Sequence, residues 1–352
     1  MEGEIARLRR SSCAAPGIVR RRRGRGFEYL DPDGQRVDDP EVLERIAELV
    51  IPPAWREVWV CMDPLGHLQA TGIDVACRKQ YLYHERWRAH RDRRKFDSMV
   101  AFGAALPRLR RRVARDLQLP RGERRAEIGK LTEQRVLALA ARLLDLGFFR
   151  IGSEDYAERN ESYGLTTMLR KHATVEKREV IFDFPAKSGQ RRVQAIADPE
   201  VLVLVEALKR RRTGSQLLAY RRSDGWSDLA AEEVNAYLKQ CSGGEFTAKD
   251  FRTWNATVLA AVALAGSGEA KGTAAQEREI KRSIKTVAAY LGNTPAVCRA
   301  SYVDPRVIDR FQAGVTIAEA VGRAGPDLGK ASVRARVEKG VLGLLEDASD
   351  SA

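Results

Sequence analysis

The apolar pattern changes character near Arg88, and this change restricts the fold more than any other feature of the chain. Before it, short extended runs are separated by tight-turn sequences. FEYLDPDGQRV holds two such runs around DPDG, and VWVCMDPLGHLQATGIDVACRKQYLYH holds more, with DPLG between two of them. Asp-Pro followed by Gly is turn chemistry, because Pro presets one φ and Gly tolerates the positive φ that closes a turn. One short helix is predicted in this part, near DPEVLERIAELV, where apolar residues recur every three to four positions.

After Arg88 the helical period takes over. RRKFDSMVAFGAALPRLRRRVARDL, LTEQRVLALAARLLDLG, AAEEVNAYLKQC, TAKDFRTWNATVLAAVALAG and EREIKRSIKTVAAYLG are all amphipathic. A hairpin, REVIFDF-PAKSGQ-RRVQAIAD, interrupts them. The charged run HRDRRK marks a boundary near Arg93. The chain therefore reads as α+β in three parts: a strand-rich N-terminal domain over 1–92, a larger, mainly helical domain over 93–321, and a tail over 322–352. The tail reads as an exposed linker followed by a helix, ASVRARVEKGVLGLLEDA.

With 352 residues the chain is long enough for two domains and a sizeable core. Its 61 Lys and Arg against 48 Asp and Glu leave a formal net charge of +13, dominated by Arg in runs such as GIVRRRRGRG and LPRLRRRVARDL. A field of that sign favours a polyanionic partner through counterion release, although a solvated basic surface produces the same count. The five cysteines are widely spaced and form no CxxC pair, which supports neither a disulfide framework nor a zinc knuckle. The N-terminus lacks the apolar core of a signal peptide, and the longest apolar stretch, ATVLAAVALAG, is too short to span a bilayer. These features predict a cytoplasmic protein.

Five scattered residues carry the chemical reading: Arg150, Lys187, Arg252, Asn293 and Tyr302. Each has an ordinary explanation. Arg150 in LLDLGFFRIGSEDY lies just past a helix end, where arginines compensate the helix dipole. Lys187 sits at the hairpin tip PAKSGQ, where lysines are usually solvated. Arg252 in TAKDFRTWNA lies near a helix start, where a cation opposes the dipole but joins backbone N–H groups in an anion site. Asn293 in LGNTPAV is a natural helix stop or N-cap, and Tyr302 a natural half-buried core residue. In this order, however, the five suit metal-free cutting of a phosphodiester. A phenol oxygen attacks phosphorus, fixed donors meet the charge that builds on the non-bridging oxygens, and a mobile ammonium protonates the leaving oxygen.

Other chemistries find no support. The four histidines form no HxxxH or HExxH pair for a catalytic zinc, and no GxxxxGK[ST] loop is present for ATP. No cofactor is expected.

From about Gly17 to Gln312 the chain resembles the poxvirus-like type IB DNA topoisomerases of bacteria. FFRIGSEDYAERNESYGLTTMLRKH resembles the segment with the first catalytic arginine, FDFPAKSGQ the hairpin with the catalytic lysine, and KDFRTW the segment with the second arginine. NTPAVCRASYVDP resembles the closing segment with the tyrosine nucleophile. The resemblance thus implies catalytic roles for Arg150, Lys187, Arg252 and Tyr302, with Asn293 in the fifth catalytic position, where viral members have a histidine. CRKQYLYHERW resembles the strand that touches DNA through a Gln and two Tyr, which implies DNA contacts for Gln80, Tyr81 and Tyr83. Tyr156 is retained in a second DNA-reading stretch, whereas Ser153 and Asp155 replace two viral lysines, implying a cleavage preference unlike the viral one. Lys249, in Lys249-x-x-Arg252, stands where the related tyrosine recombinases usually carry histidine, and is a further candidate DNA contact.

The resemblance implies a monomer that clamps double-stranded DNA, forms a 3′-phosphotyrosyl link through Tyr302 and relaxes supercoils of either sign without ATP or metal. It implies a nucleoid-associated enzyme with no membrane partner. Two alternatives stand beside it. A tyrosine recombinase or integrase uses the same Arg–Lys–Arg–Tyr chemistry, and a non-enzymatic DNA-binding protein would bind salt-dependently and form no covalent adduct.

Overall fold

The computed structural model describes residues 8–118, 131–152, 154, 157, 161–268, 272–324 and 329–349. The chain divides into two compact units, Met1–Phe96 and Asp97–Ala352.

The first unit is built on an antiparallel sheet in the order β2-β1-β3-β4-β5, formed by β1 (Ile18–Arg23), β2 (Gly26–Leu30), β3 (Arg56–Val60), β4 (Leu68–Ile73) and β5 (Lys79–Tyr83). The DPDG sequence closes as a turn, with Gly34 N–H donating to Asp31 carbonyl at 3.0 Å. DPLG does the same between β3 and β4, where Leu65 N–H also reaches the Asp63 side chain at 2.9 Å. Helix α1 (Pro40–Glu48) starts where its sequence says it should: the Asp39 carboxylate caps Glu41 N–H at 2.9 Å and Pro40 takes the first position. Ile46 of α1 joins Ile18, Ile51, Val58, Val60 and Ala70 in the core.

The Arg-rich run is not all solvated. It forms β1, and alternation turns Arg20 inward. Its guanidinium donates to the carbonyls of Ile51, Pro52 and Trp55 at 3.3, 3.0 and 2.8 Å and lies 4.2 Å from the centre of the Phe27 ring. Backbone dipoles thus replace the water this buried cation has lost.

Helix α2 (Glu85–Leu117) contains the division between the units. In the second unit, α3 (Glu133–Leu146) is the central element: nine of its fourteen residues are buried. It packs on α4 (Pro199–Lys209), α5 (Ala231–Ser242), α6 (Ala248–Ala265) and the short strand β9 (Ala219–Arg221). Burying a leucine of this kind contributes about 1.5–3 kcal/mol. The remaining helices are α7 (Thr273–Leu291), α8 (Pro295–Ser301), α9 (Pro305–Gln312), α10 (Ala318–Ala324) and α11 (Ala331–Ser349). A three-stranded antiparallel sheet, β6 (Ala173–Val175), β7 (Val180–Pro185) and β8 (Arg191–Ile196), contains the expected hairpin, and β10 (Trp226–Asp228) pairs with β9.

The C-terminal helix α11 belongs to this unit and packs on α6, α9 and α10. Its Glu338 accepts from Arg110 of α2 at 2.5 and 2.8 Å and from the Trp254 indole at 3.3 Å. Its Arg334 donates to Asp145 at 2.7 Å, and Asp145 also accepts from Nε and Nη2 of Arg110 at 2.9 and 2.8 Å. No helix among the described residues is long and apolar enough to cross a membrane.

Candidate active site

The site grows from four segments of the second unit. The first is the exit from α3. Gly147 ends the helix, and Phe149 anchors the next turn by packing edge-on against Phe182 of β7 at 5.2 Å. Arg150 and Ile151 then pair by backbone with Leu165 and Thr166, both bonds at 2.8 Å. Two glycines allow that pairing. Gly152 has φ +94°, and a Cβ on Gly164 would lie 2.4 Å from the Gly152 backbone. The Arg-Ile-Gly sequence thus fixes the backbone that carries Arg150.

The second segment is α6. Asp250 caps its start, its Oδ2 accepting from Thr247 N–H and Oγ1 at 2.7 and 3.0 Å. The register this imposes turns Arg252 inward, where it is only 4% exposed. Its guanidinium donates to the Phe148 carbonyl and, at 3.0 Å, to the Leu291 carbonyl. Its Nε is buried and has no hydrogen-bond partner among the described residues. Burial, and then Arg150, lower its pKa to about 10, against an opposing pull from Tyr302. It remains a cation at neutral pH.

The third segment is the corner between α7 and α8. Gly292 ends α7 in the left-handed region, and Thr294 caps α8 by accepting from Val297 N–H at 3.3 Å. The capping roles that Asn293 could have taken thus fall to its two neighbours, and its side chain turns to the site. Its Oδ1 accepts from Arg150 Nη2 at 2.5 Å, while its Nδ2 is buried without a partner among the described residues. Arg150 Nη2 also reaches the Gly292 carbonyl at 3.4 Å.

Tyr302 closes α8. Its backbone is tied to α6, since Thr257 Oγ1 donates to the Tyr302 carbonyl at 3.3 Å and accepts from Asp304 N–H at 3.1 Å. The centre of its half-buried ring lies 5.2 Å from the Arg252 guanidinium.

Arg150, Arg252, Asn293 and Tyr302 are therefore one constellation. Lys187 is not joined to it. It is exposed on the turn between β7 and β8 and makes no hydrogen bond or ion pair with the other four. The turn nevertheless reaches the site, because Ala186 lines the same small cleft as Arg150, Arg252 and Leu291. Arg192, which motif reading passes over, lines it too. Burial, and then Arg150, lower the pKa of Arg192. Among the described residues none of these three arginines is paired with a carboxylate, so the cleft is built to meet an anion.

Lys249 is exposed on the first turn of α6. In the first unit, Tyr81 and Tyr83 point to one face of β5 with rings stacked 6.3 Å apart, and Tyr81 is 47% exposed. Lys79 and Arg91 each lie 6.0 Å from one of these rings. Gln80, on the other face, donates to Asp74 at 2.8 Å. Ser153, Asp155 and Tyr156 lie outside the described residues.

Known proteins match most of the chain. The family model for the catalytic core of eukaryotic DNA topoisomerase I matches residues 84–320, and that for the N-terminal domain of bacterial DNA topoisomerase IB matches residues 26–74. DNA topoisomerase 1B of Acanthamoeba polyphaga mimivirus is 31% identical over 305 residues, 84% of this chain and 88% of the relative. DNA topoisomerase 1 of Schizosaccharomyces pombe is 29% identical over 139 residues, 39% of this chain and 16% of that much longer protein. The catalytic-core model spans more than half of the chain, and the mimivirus match runs through most of both proteins, so the chain belongs to the poxvirus-like type IB DNA topoisomerases of bacteria.

Proposed function

We propose that the protein relaxes positive and negative supercoils by cutting one strand of duplex DNA through a 3′-phosphotyrosyl ester on Tyr302. The observation that carries this reading is a pair of buried donors without acceptors among the described residues, Arg252 Nε and Asn293 Nδ2, in the constellation that holds Tyr302. A buried donor left unpaired costs about 1–3 kcal/mol. A phosphate oxygen between them would satisfy both.

In the proposed reaction Tyr302 Oη forms a bond to phosphorus and releases its proton to solvent. The bond from phosphorus to the 5′ oxygen breaks, and Lys187 Nζ delivers a proton to that oxygen. Arg150, Arg252 and Asn293 hold the non-bridging oxygens, where the loss of one donor typically costs about 10²–10³ in rate. The cut strand swivels about the intact one, and the 5′ hydroxyl attacks the tyrosyl ester to reseal. The ester conserves the energy of the phosphodiester, so the cycle consumes no ATP. The strand-rich unit clamps the duplex through Tyr81, Tyr83 and Gln80, with Tyr156 and Lys249 as contacts from the catalytic unit. The protein works as a monomer on nucleoid DNA in the cytoplasm.

The test is supercoiled plasmid with the protein in EDTA, beside Tyr302→Phe. Relaxation and a denaturant-stable protein–DNA adduct, both lost in the variant, are expected. An adduct that joins two duplexes but relaxes none would favour a recombinase. Salt-dependent binding with no adduct would favour a non-enzymatic module.

A further inference from the structure

The corner at the end of α7 is held by three arginines in succession. Arg192 donates to the carbonyls of Ala289, at 3.1 Å, and Tyr290. Arg252 takes the carbonyl of Leu291, and Arg150 takes the carbonyl of Gly292 and the side chain of Asn293. These carbonyls form the electronegative end of the helix, which explains why cations collect there. Arg150 and Arg252 come from the segments already placed in the site. Arg192 comes from β8, five residues after Lys187 on the same hairpin.

Both terminal nitrogens of Arg192 are directed at the α7 carbonyls. Gly292 packs against this side chain, since a Cβ there would meet Arg192 Cδ and Nη1 at 3.1 Å. The contact joins the hairpin to the corner that carries Asn293 and leads into α8 and Tyr302. The Lys187 turn, by contrast, has its own closure, Ala186 N–H to Gln190 carbonyl at 2.8 Å, and no bond from Lys187 to the other four site residues.

We propose that Arg192 is a positioning residue for Lys187: it struts the hairpin against the α7 corner and so sets where the lysine ammonium meets the leaving oxygen. The inference rests on Lys187 being the general acid. It predicts a defect confined to proton delivery. An alkoxide needs that proton, because its conjugate acid has a pKa near that of water, about 15.7. A thiolate does not, since thiol pKa values lie near 8.5.

The experiment is single-turnover cleavage by the full chain of two duplexes, one ordinary and one with sulfur at the 5′-bridging position of the scissile phosphate. Displacing a positioned group by an ångström can cost on the order of 10² in rate. Arg192→Ala is therefore expected to cleave ordinary DNA some 10–10²-fold more slowly than wild type, and the sulfur substrate close to the wild-type rate. Arg192→Lys keeps the charge and a donor for one carbonyl, so it should show the same substrate dependence with a smaller loss; it serves if the alanine variant does not fold. Equal loss on both substrates would overturn the inference and place Arg192 on the phosphoryl oxygens or in the folding of the site. Unchanged rates on both would overturn it as well. Lys187→Ala is the control: rescue by sulfur keeps the general-acid reading standing whatever Arg192 does, and no rescue removes that reading and the inference together.

Discussion

Arg150 donates from Nη2 to Oδ1 of Asn293 at 2.5 Å, while Nδ2 of the same amide is buried with no partner among the described residues. One hydrogen bond thus orients the amide, because an arginine can only donate and must face the oxygen. The nitrogen is then the group left for a phosphate oxygen. Asn293→Asp tests this arrangement. It keeps the acceptor for Arg150 and replaces the donor with a carboxylate oxygen that repels the phosphate. Single-turnover cleavage is expected to fall by at least about 10²–10³. A rate within a few-fold of wild type would show that the amide nitrogen does not act on the phosphate.

Asn293→His makes a different prediction. Imidazole keeps a donor and adds a titration with an unperturbed pKa near 6.5. Its cation meets the developing charge on phosphorus, so the ratio of variant to wild-type cleavage rate should fall as pH rises through that region. Wild type has a neutral amide there, and taking the ratio cancels titrations common to both proteins. A ratio that is flat from pH 5.5 to 8, or that rises, would remove residue 293 from transition-state stabilisation.

Salt should weaken DNA binding unevenly across the basic surface. Each lysine or arginine that neutralises a duplex phosphate contributes about −0.9 to the slope of log affinity against log salt. Lys249 is exposed on the first turn of α6 beside Arg252. Lys249→Ala should therefore make the slope shallower by roughly one such contact. Arg21 is paired with Glu28 at 2.6 Å, so Arg21→Ala should leave the slope nearly unchanged. Titrations at several salt concentrations distinguish the two, and equal effects would contradict a site-specific Lys249 contact.

Arg150, Arg252, Asn293 and Tyr302 could be singled out before their convergence in the fold was seen, because each sits in a motif of distinctive local sequence. The helical half was legible because long amphipathic periods survive in one dimension. What holds the site was not. The groups that fix Arg192, Arg252 and Arg150 at the α7 corner are main-chain carbonyls, which every residue type supplies. The C-terminal helix was readable as a helix, but its docking depends on Arg110 meeting Glu338 across 228 positions, and no local pattern carries a pairing of that range. The run at β1 reads as surface charge because composition does not say which arginine finds carbonyls. The three-residue strands β6, β9 and β10 are too short to show a period.

The docking of α11 should matter to the stability of the catalytic unit. Glu338 is 6% exposed and receives Arg110 and the Trp254 indole. Breaking a buried ion pair costs about 3–5 kcal/mol, and here Arg110 would keep only Asp145 while the buried Trp254 indole would lose the acceptor Glu338 supplies. Glu338→Ala should lower the melting temperature of this unit by roughly 10 °C, given about 2–4 °C per kcal/mol in domains of this size. Thermal unfolding of the full chain would register it, and an unchanged melting point would mean that the pair contributes no net stability.

The same network should make the fold sensitive to acid. Burial alone would raise the pKa of Asp145, but Arg110 and Arg334 outweigh it and hold the carboxyl below the ordinary aspartate range. In the unfolded chain that group titrates near 3.9. A carboxylate that binds its proton more weakly when folded adds stability that is fully present above the unfolded value and is lost as pH falls through the folded one. Asp74 in the strand-rich unit adds in the same direction, held at about 2 by its hydrogen bonds to Arg78. Between about pH 5 and 8 these groups contribute a constant amount, and below about pH 4 the melting temperature should drop progressively. Asp145→Asn separates the network from the rest. The amide is neutral at every pH, so the variant should be less stable than wild type at pH 7, with Arg110 and Arg334 short of a counter-charge, yet lose less of its remaining stability on acidification. If both proteins lose the same number of degrees between pH 5 and pH 2.5 at a fixed scan rate, the acid response originates outside the Arg110–Asp145–Arg334 cluster.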